Sequence, residues 1–97
     1  MYFGQIFFFD DEQGIYLKDS ENAGRVLAEI TFIKVSENII EINHTFVDES
    51  LRGQGIANIL MEKVIDYMEV NNLKCILTCS YAIKWFEKHP EAKKLLK

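Results

Sequence analysis

The sequence predicts an α+β domain: a mixed, mainly antiparallel sheet with helices on its faces. Three observations carry that expectation. Arg25 to Lys34 and Ile39 to Val47 both alternate apolar and polar residues and are separated only by the short turn Ser36-Glu37-Asn38, the pattern of an antiparallel hairpin. The stretch from Ile56 to about Asn71 instead has the period of an amphipathic helix. A second apolar strand, Lys74 to Cys79, follows that helix and must run parallel to its partner after a right-handed crossover. With 97 residues and 48% hydrophobic side chains, the chain is expected to form one domain over residues 1–97 with a real core.

Taken in order, Gln5 to Phe9 and Gly14 to Lys18 read as short strands around the turn Asp10-Asp11-Glu12-Gln13. Met1 to Asp10 is apolar and aromatic, but it lacks the basic flank and small-residue cleavage site of a signal peptide, so it reads as strand. Asp19-Ser20-Glu21-Asn22-Ala23-Gly24 is a polar loop. In the next strand Val26, Ala28, Ile30 and Phe32 share a face, with Glu29 and Thr31 opposite. The strand after it places Ile40, Ile42, His44 and Phe46 on one face and Glu41, Asn43 and Thr45 on the other. The helix carries a polar stripe at Gln54, Asn58, Glu62, Asp66 and Glu69. Ile56, Leu60, Val64, Tyr67 and Met68 lie opposite, with Ile59 and Met61 flanking. Asn71-Asn72 ends it, a residue type that tolerates the left-handed conformation. Ser80 caps a helix of about two turns, His89-Pro90 stops it, and Pro90 starts a last short one.

The most informative stretch is Arg52-Gly53-Gln54-Gly55-Ile56-Ala57, between strand and helix. The first amides of a helix have no intrahelical partner and point along the positive end of its dipole. Gly53 and Gly55 lack a Cβ, so a phosphate or diphosphate can approach the backbone closely, and Arg52 adds a permanent cation. The plainer reading is a Gly-containing turn that starts a helix. A P-loop is excluded, because Ile56-Ala57 stands where Lys and Ser or Thr are needed. A dinucleotide fingerprint is excluded too. Asp48 to Leu51 intervenes between strand and loop, Asn58 occupies the third Gly position, and the next strand ends in Thr78-Cys79 with no acidic residue for a ribose.

Residues 52–57 match Arg/Gln-x-x-Gly-x-Gly/Ala, the acetyl-CoA loop of the GNAT acyltransferase superfamily. With His44-Thr45-Phe46-Val47 before it, and Thr78-Cys79-Ser80-Tyr81 and His89-Pro90-Glu91 after it, the chain from Ala28 onward resembles the short, single-domain branch of that superfamily. The resemblance implies a minimal GNAT-like fold lacking the first two helices, with an acceptor side left open or completed by another subunit. It implies acetyl-CoA as co-substrate, the diphosphate on the amides of Gly53, Gln54, Gly55, Ile56 and Ala57 beside Arg52, and the pantetheine arm paired with the strand edge at Thr45, Phe46 and Val47. Ser80 and Lys84 complete the cofactor set, although an exposed helical Lys is the plainer reading of Lys84.

Cys79 and His44 are the catalytic candidates. A thiol just before a helix start lies in the helix N-terminal field, which favours thiolate. Cys79 can serve as a nucleophile that carries the acyl group, as a proton donor to the departing CoA sulfur, or as a small buried hydrophobe. His44, on an apolar strand face, is either a satisfied core histidine or the base that deprotonates the amine. Within hydrogen-bond reach of each other the two would form a nucleophile–base pair. Cys75 reads as core, and His89 as a cap or packing group. Cys75 and Cys79, four residues apart on one strand, have Cα atoms about 13 Å apart, which excludes a shared zinc and a disulfide. Many members of the superfamily carry a Tyr acid on the last core helix. Phe86 stands at that position here, and Tyr81 falls one turn too early.

A net charge of −4 argues against nucleic acid and suits a cationic amine. No apolar run approaches the roughly 20 residues of a membrane span, and two cysteines fit a reducing cytoplasm. The expected function is acetyl-CoA-dependent N-acetylation of an unknown amine, a small molecule or a protein, either directly or through Cys79, by a monomer or weak homodimer without metal. A CoA-binding module without turnover is the alternative, and a plain interaction domain the third class.

Overall fold

The computed structural model describes residues 6–19 and 25–97. Gln5 of the first expected strand and residues 20–24 of the expected polar loop lie outside the described residues. Five strands, β1 (Ile6–Asp11), β2 (Gly14–Asp19), β3 (Arg25–Ser36), β4 (Ile39–Val47) and β5 (Lys74–Leu77), form one sheet in that order. The first three pairings are antiparallel and β4–β5 is parallel. Helix α1 (Ile56–Val70) makes the crossover, α2 (Ser80–Lys88) follows β5, and short 3-10 turns span Glu49–Leu51 and Pro90–Leu95.

Local chemistry sets these boundaries. The β1–β2 turn is closed by the Asp11 carboxylate, which accepts from the Gln13 amide at 2.7 Å. Gly14 is needed for close approach, since a Cβ there would stand 2.6 Å from the Ile30 carbonyl oxygen. Asn72 ends α1 in the left-handed conformation at φ 55°, and the Leu73 amide returns to the Met68 carbonyl at 2.8 Å. Beyond the helices, the Lys97 amide donates to Cys75 O at 2.9 Å, so the last residues lie along the outer edge of β5.

The core is one cluster on one side of the sheet. Ala28, Ile30, Phe32, Ile40 and Ile42 meet Leu60, Met61, Val64 and Met68 of α1 and Ala82, Trp85 and Phe86 of α2. Met61, expected to flank the apolar stripe, is fully buried. The two helices are tied by the Trp85 indole, which donates to Asn58 Oδ1 at 2.7 Å. Among the described residues no such layer covers the other face of the sheet, which carries Glu29, Thr31, Ile33, Val35 and His44, and Ile33 and Val35 are exposed. Both helices pack on the core face, in the mixed, mainly antiparallel arrangement that the sequence predicts.

The strand alternation read from the sequence fails at one place in β4. Phe32 pairs with Ile42 but Thr31 pairs with His44, so Asn43 is an extra residue in a β-bulge. The bulge changes the phase. Ile40 and Ile42 face the core and Thr45 and Val47 continue on that side, whereas His44 and Phe46 turn to the open face. His44 is therefore not on an apolar face.

Candidate functional site

The bulge also ends the parallel pairing. Register between β4 and β5 stops at Ile42–Leu77, and the amides of Thr78 (3.1 Å) and Cys79 (3.3 Å) both converge on the Ile42 carbonyl. β5 thus closes at Leu77, two residues before the expected Cys79, and the strands splay beyond it. The Asp48 amide bonds Leu27 O at 2.7 Å, which fixes the phase of β4 against β3. Phe46 then turns its main-chain groups toward β3, and Thr45 and Val47 turn theirs toward the splay. The Val47 carbonyl accepts from Arg52 Nε at 3.2 Å, leaving the Thr45 groups and the Val47 amide along that edge.

The glycine loop sits at the mouth of this splay. Asp48 accepts from the Ser50 amide at 3.1 Å and the Ser50 hydroxyl at 2.5 Å, and ion-pairs with Arg25 at 2.8 Å. The two Ser50 bonds hold the Asp48 carboxyl below its ordinary 3.8; desolvation opposes them, and the charges of Arg25 and Arg52 add lesser lowering effects. Leu51 plugs into the core, and Gly53 (φ 82°) and Gly55 (φ 75°) then take left-handed conformations. Gly55 is the N-cap of α1, so the first helical bond runs from Ile59 N to Gly55 O and the amides of Ile56, Ala57 and Asn58 have no helical acceptor. A Cβ on either glycine would meet no atom within 4 Å beyond its two chain neighbours. The loop is a bare cradle of donors of the kind a diphosphate needs. It opens on a hollow of about 240 Å³ lined by Val47, Arg52, Gly53, Gly55, Ile56 and Tyr81. A larger hollow, about 560 Å³ between Phe8 and Tyr67, has neither a helix N-terminus nor a thiol in its lining.

Cys79 lies at the closed end of the splay. It occupies the N-cap position of α2, and Ser80, expected as the cap, is the first helical residue and makes no capping bond. The Cys79 thiol is half-buried, 3.4 Å from the Thr45 hydroxyl. Cys75 behaves differently: wholly buried, its thiol is pushed up to about 11 by desolvation and stays protonated. Both cysteines are free.

His44 and Cys79 are not brought together. The imidazole is on the open face, its Nε2 3.3 Å from Glu29 Oε2, while the thiol points to Thr45 on the other side of β4. The remaining expected residues divide in the same way. Thr45, Val47, Arg52 and residues 53–57 meet at the splay. The Phe46 ring is 37% exposed on the open face, and Ser80 and Lys84 are exposed on α2. Phe86 is buried against Trp85 and offers no hydroxyl. His89 stacks on Trp85 at 3.8 Å, its Nδ1 2.7 Å from the Trp85 carbonyl, which is a packing role. Among the described residues no three His, Cys, Asp or Glu side chains gather as a metal-binding group, and no helix is long and apolar enough to cross a membrane.

Sequence reasoning missed two groups. Tyr81 lines the hollow, and its phenol is raised first by burial and then by the neighbouring Cys79. Its position in the first turn after Cys79 was a usable signal. Glu29 was read only as a polar face residue, because its contact with His44 depends on the bulge.

A five-stranded sheet splayed at its one parallel pair, with a glycine-lined helix start at the opening, defines the class of acyltransferase fold to which the sequence pointed. The model described as GCN5-related N-acetyl-transferase matches residues 15–95, and the chain belongs to that family. A GCN5-like protein from Staphylococcus aureus is 35% identical with a TM-score of 0.77, covering 98% of this chain and 91% of that one. Ard1 from Thermoplasma volcanium shares the fold at 24% identity and a TM-score of 0.63, over 80% of this chain and 54% of that one. Protein NATD1 from Homo sapiens is 36% identical over 56 residues, 58% of this chain and 50% of the relative, so the chain spans about half the length of the curated relatives it matches.

Proposed function

We propose that the protein moves an acetyl group from acetyl-CoA to a primary amine. One observation carries this reading: the left-handed glycines, the free amides of α1, the unpaired edge of β4 and the Cys79 thiol all converge on one splay. The amides from Gly53 to Ala57, with Arg52, suit the CoA diphosphate, and the Thr45 and Val47 edge suits the amides of the pantetheine arm. Phe46 supports that edge by pairing with β3, and Ser80 and Lys84 flank the approach. Cys79 then stands at the thioester end and gives its proton to the departing sulfur, while His44 takes a proton from the amine on the open face. The separation of the two side chains favours direct transfer over an acyl-cysteine relay. Two free thiols fit a reducing, cytoplasmic compartment.

The test is release of CoA thiol from acetyl-CoA in the presence of lysine amide, a peptide with a free N-terminus, and spermidine. Wild type is expected to release thiol with at least one of them. Cys79→Ala should bind CoA as before and turn over about 100-fold more slowly, and intact mass should show no lasting acetyl adduct on wild type. Tight CoA binding with no thiol release above the blank would instead establish a binding module without turnover, the reading that the buried Phe86 favours.

A further inference from the structure

We propose that Glu29 is the positioning residue for His44, and that the two act as a dyad on the open face of the sheet. This inference rests on the transferase reading above. Glu29 lies in the middle of β3, directly across from Phe46 of β4 and Tyr16 of β2. The bulge at Asn43 turns His44 onto the same face, and Thr31, the register partner of His44, holds the bulge by donating to Asn43 Oδ1 at 2.7 Å. Glu29 Oε2 then lies 3.3 Å from His44 Nε2, with the side chains 25% and 54% exposed. So exposed a pair adds little to stability; what it fixes is orientation. With Nε2 facing the carboxylate and carrying the proton, the neutral ring would keep its lone pair on Nδ1 for an incoming group. The other carboxylate of this face on β4, Glu41, is engaged by the Thr78 hydroxyl at 2.8 Å, leaving Glu29 as the partner of the imidazole.

The dyad gives the transfer a direction. The acceptor amine approaches from the uncovered face and loses one proton to Nδ1 as its nitrogen forms the bond to the acetyl carbon. The carbon–sulfur bond breaks, the CoA sulfur takes the Cys79 proton, and the imidazolium returns its proton to the Cys79 thiolate through solvent. The sum is amine plus acetyl-CoA giving amide plus CoA thiol. The Glu29 charge stabilises the imidazolium that exists between these events.

A double-mutant cycle tests this, using whichever of lysine amide, the peptide amine or spermidine wild type turns over fastest. His44→Ala is expected to lower kcat about 100-fold and Glu29→Gln about tenfold, each with the KM for acetyl-CoA and the melting temperature unchanged. The double variant should be no slower than His44→Ala alone, because Glu29 has nothing left to orient. A structural role for Glu29 would multiply the losses. Multiplied losses, or full activity in Glu29→Gln, overturn the dyad and leave the transferase reading intact. Full activity in His44→Ala, or no turnover by wild type, removes the base itself and the dyad with it.

Discussion

At the scale of single residues, Gly55 decides most. Its φ of 75° is a conformation that L side chains rarely adopt, and beyond its two chain neighbours no protein atom lies within 4 Å of where a methyl group would sit. In Gly55→Ala the penalty is therefore backbone strain, about 1 kcal/mol, and not a clash. The added methyl fills the space over the free amides, so CoA affinity should fall about tenfold beyond the stability loss. Urea unfolding and a CoA titration on the same variant separate the two effects. The left-handed turn before α1 was legible in the sequence because glycine is the residue that takes positive φ without strain, but glycine spacing alone left a plain turn and an anion cradle both open. Glu29 was not legible, because a carboxylate carries the same letter on a solvated surface as in a site, and Tyr81 was not, because it falls one turn before the position of the superfamily's Tyr acid.

At the scale of elements, the controlling feature is the bulge in β4. It bends the strand and ends the parallel ladder at Ile42, so it is the cause of the splay. Deleting Asn43 leaves Ile40, Ile42, Thr45 and Val47 on the core side, and the chain should still fold. The straightened strand would draw the Thr45–Val47 edge toward β5, and CoA binding should weaken about tenfold or more. Circular dichroism showing an intact fold, with titration showing undiminished affinity, would refute this. The long strands and α1 followed from periodicity, since burial of one face imposes it, whereas α2 followed from cap and stop signals and the β4–β5 adjacency from the resemblance. A bulge breaks periodicity by one residue, and both phases of Asn43-His44-Thr45-Phe46-Val47 are plausible strand sequence. The phase change from residues 40 and 42 to residues 45 and 47 was its only trace, and missing it placed His44 on the wrong face.

At the scale of the whole molecule, one core layer lies on one side of the sheet, and among the described residues the other side is a mixed open face carrying Glu29, His44, Ile33, Val35 and Phe46. Acid should first loosen the loop region rather than this core. Asp48 has a carboxyl held below its ordinary 3.8, chiefly by the Ser50 bonds, so its contribution is complete above that value and is lost as pH falls through the lower folded value. Amide signals of residues 48–52, followed by NMR from pH 5 downward, should stay fixed until below about 3.8 and then shift before those of the strands. Asp48→Asn should move that onset, and an onset unchanged in the variant would show that another carboxylate controls it. The opposed placement of His44 and Cys79 has a further consequence. In the proposed transfer the sheet would act as a partition, with donor on one side and acceptor on the other, so neither substrate would have to leave before the other arrives and no acylated half-way state would be needed to keep them apart.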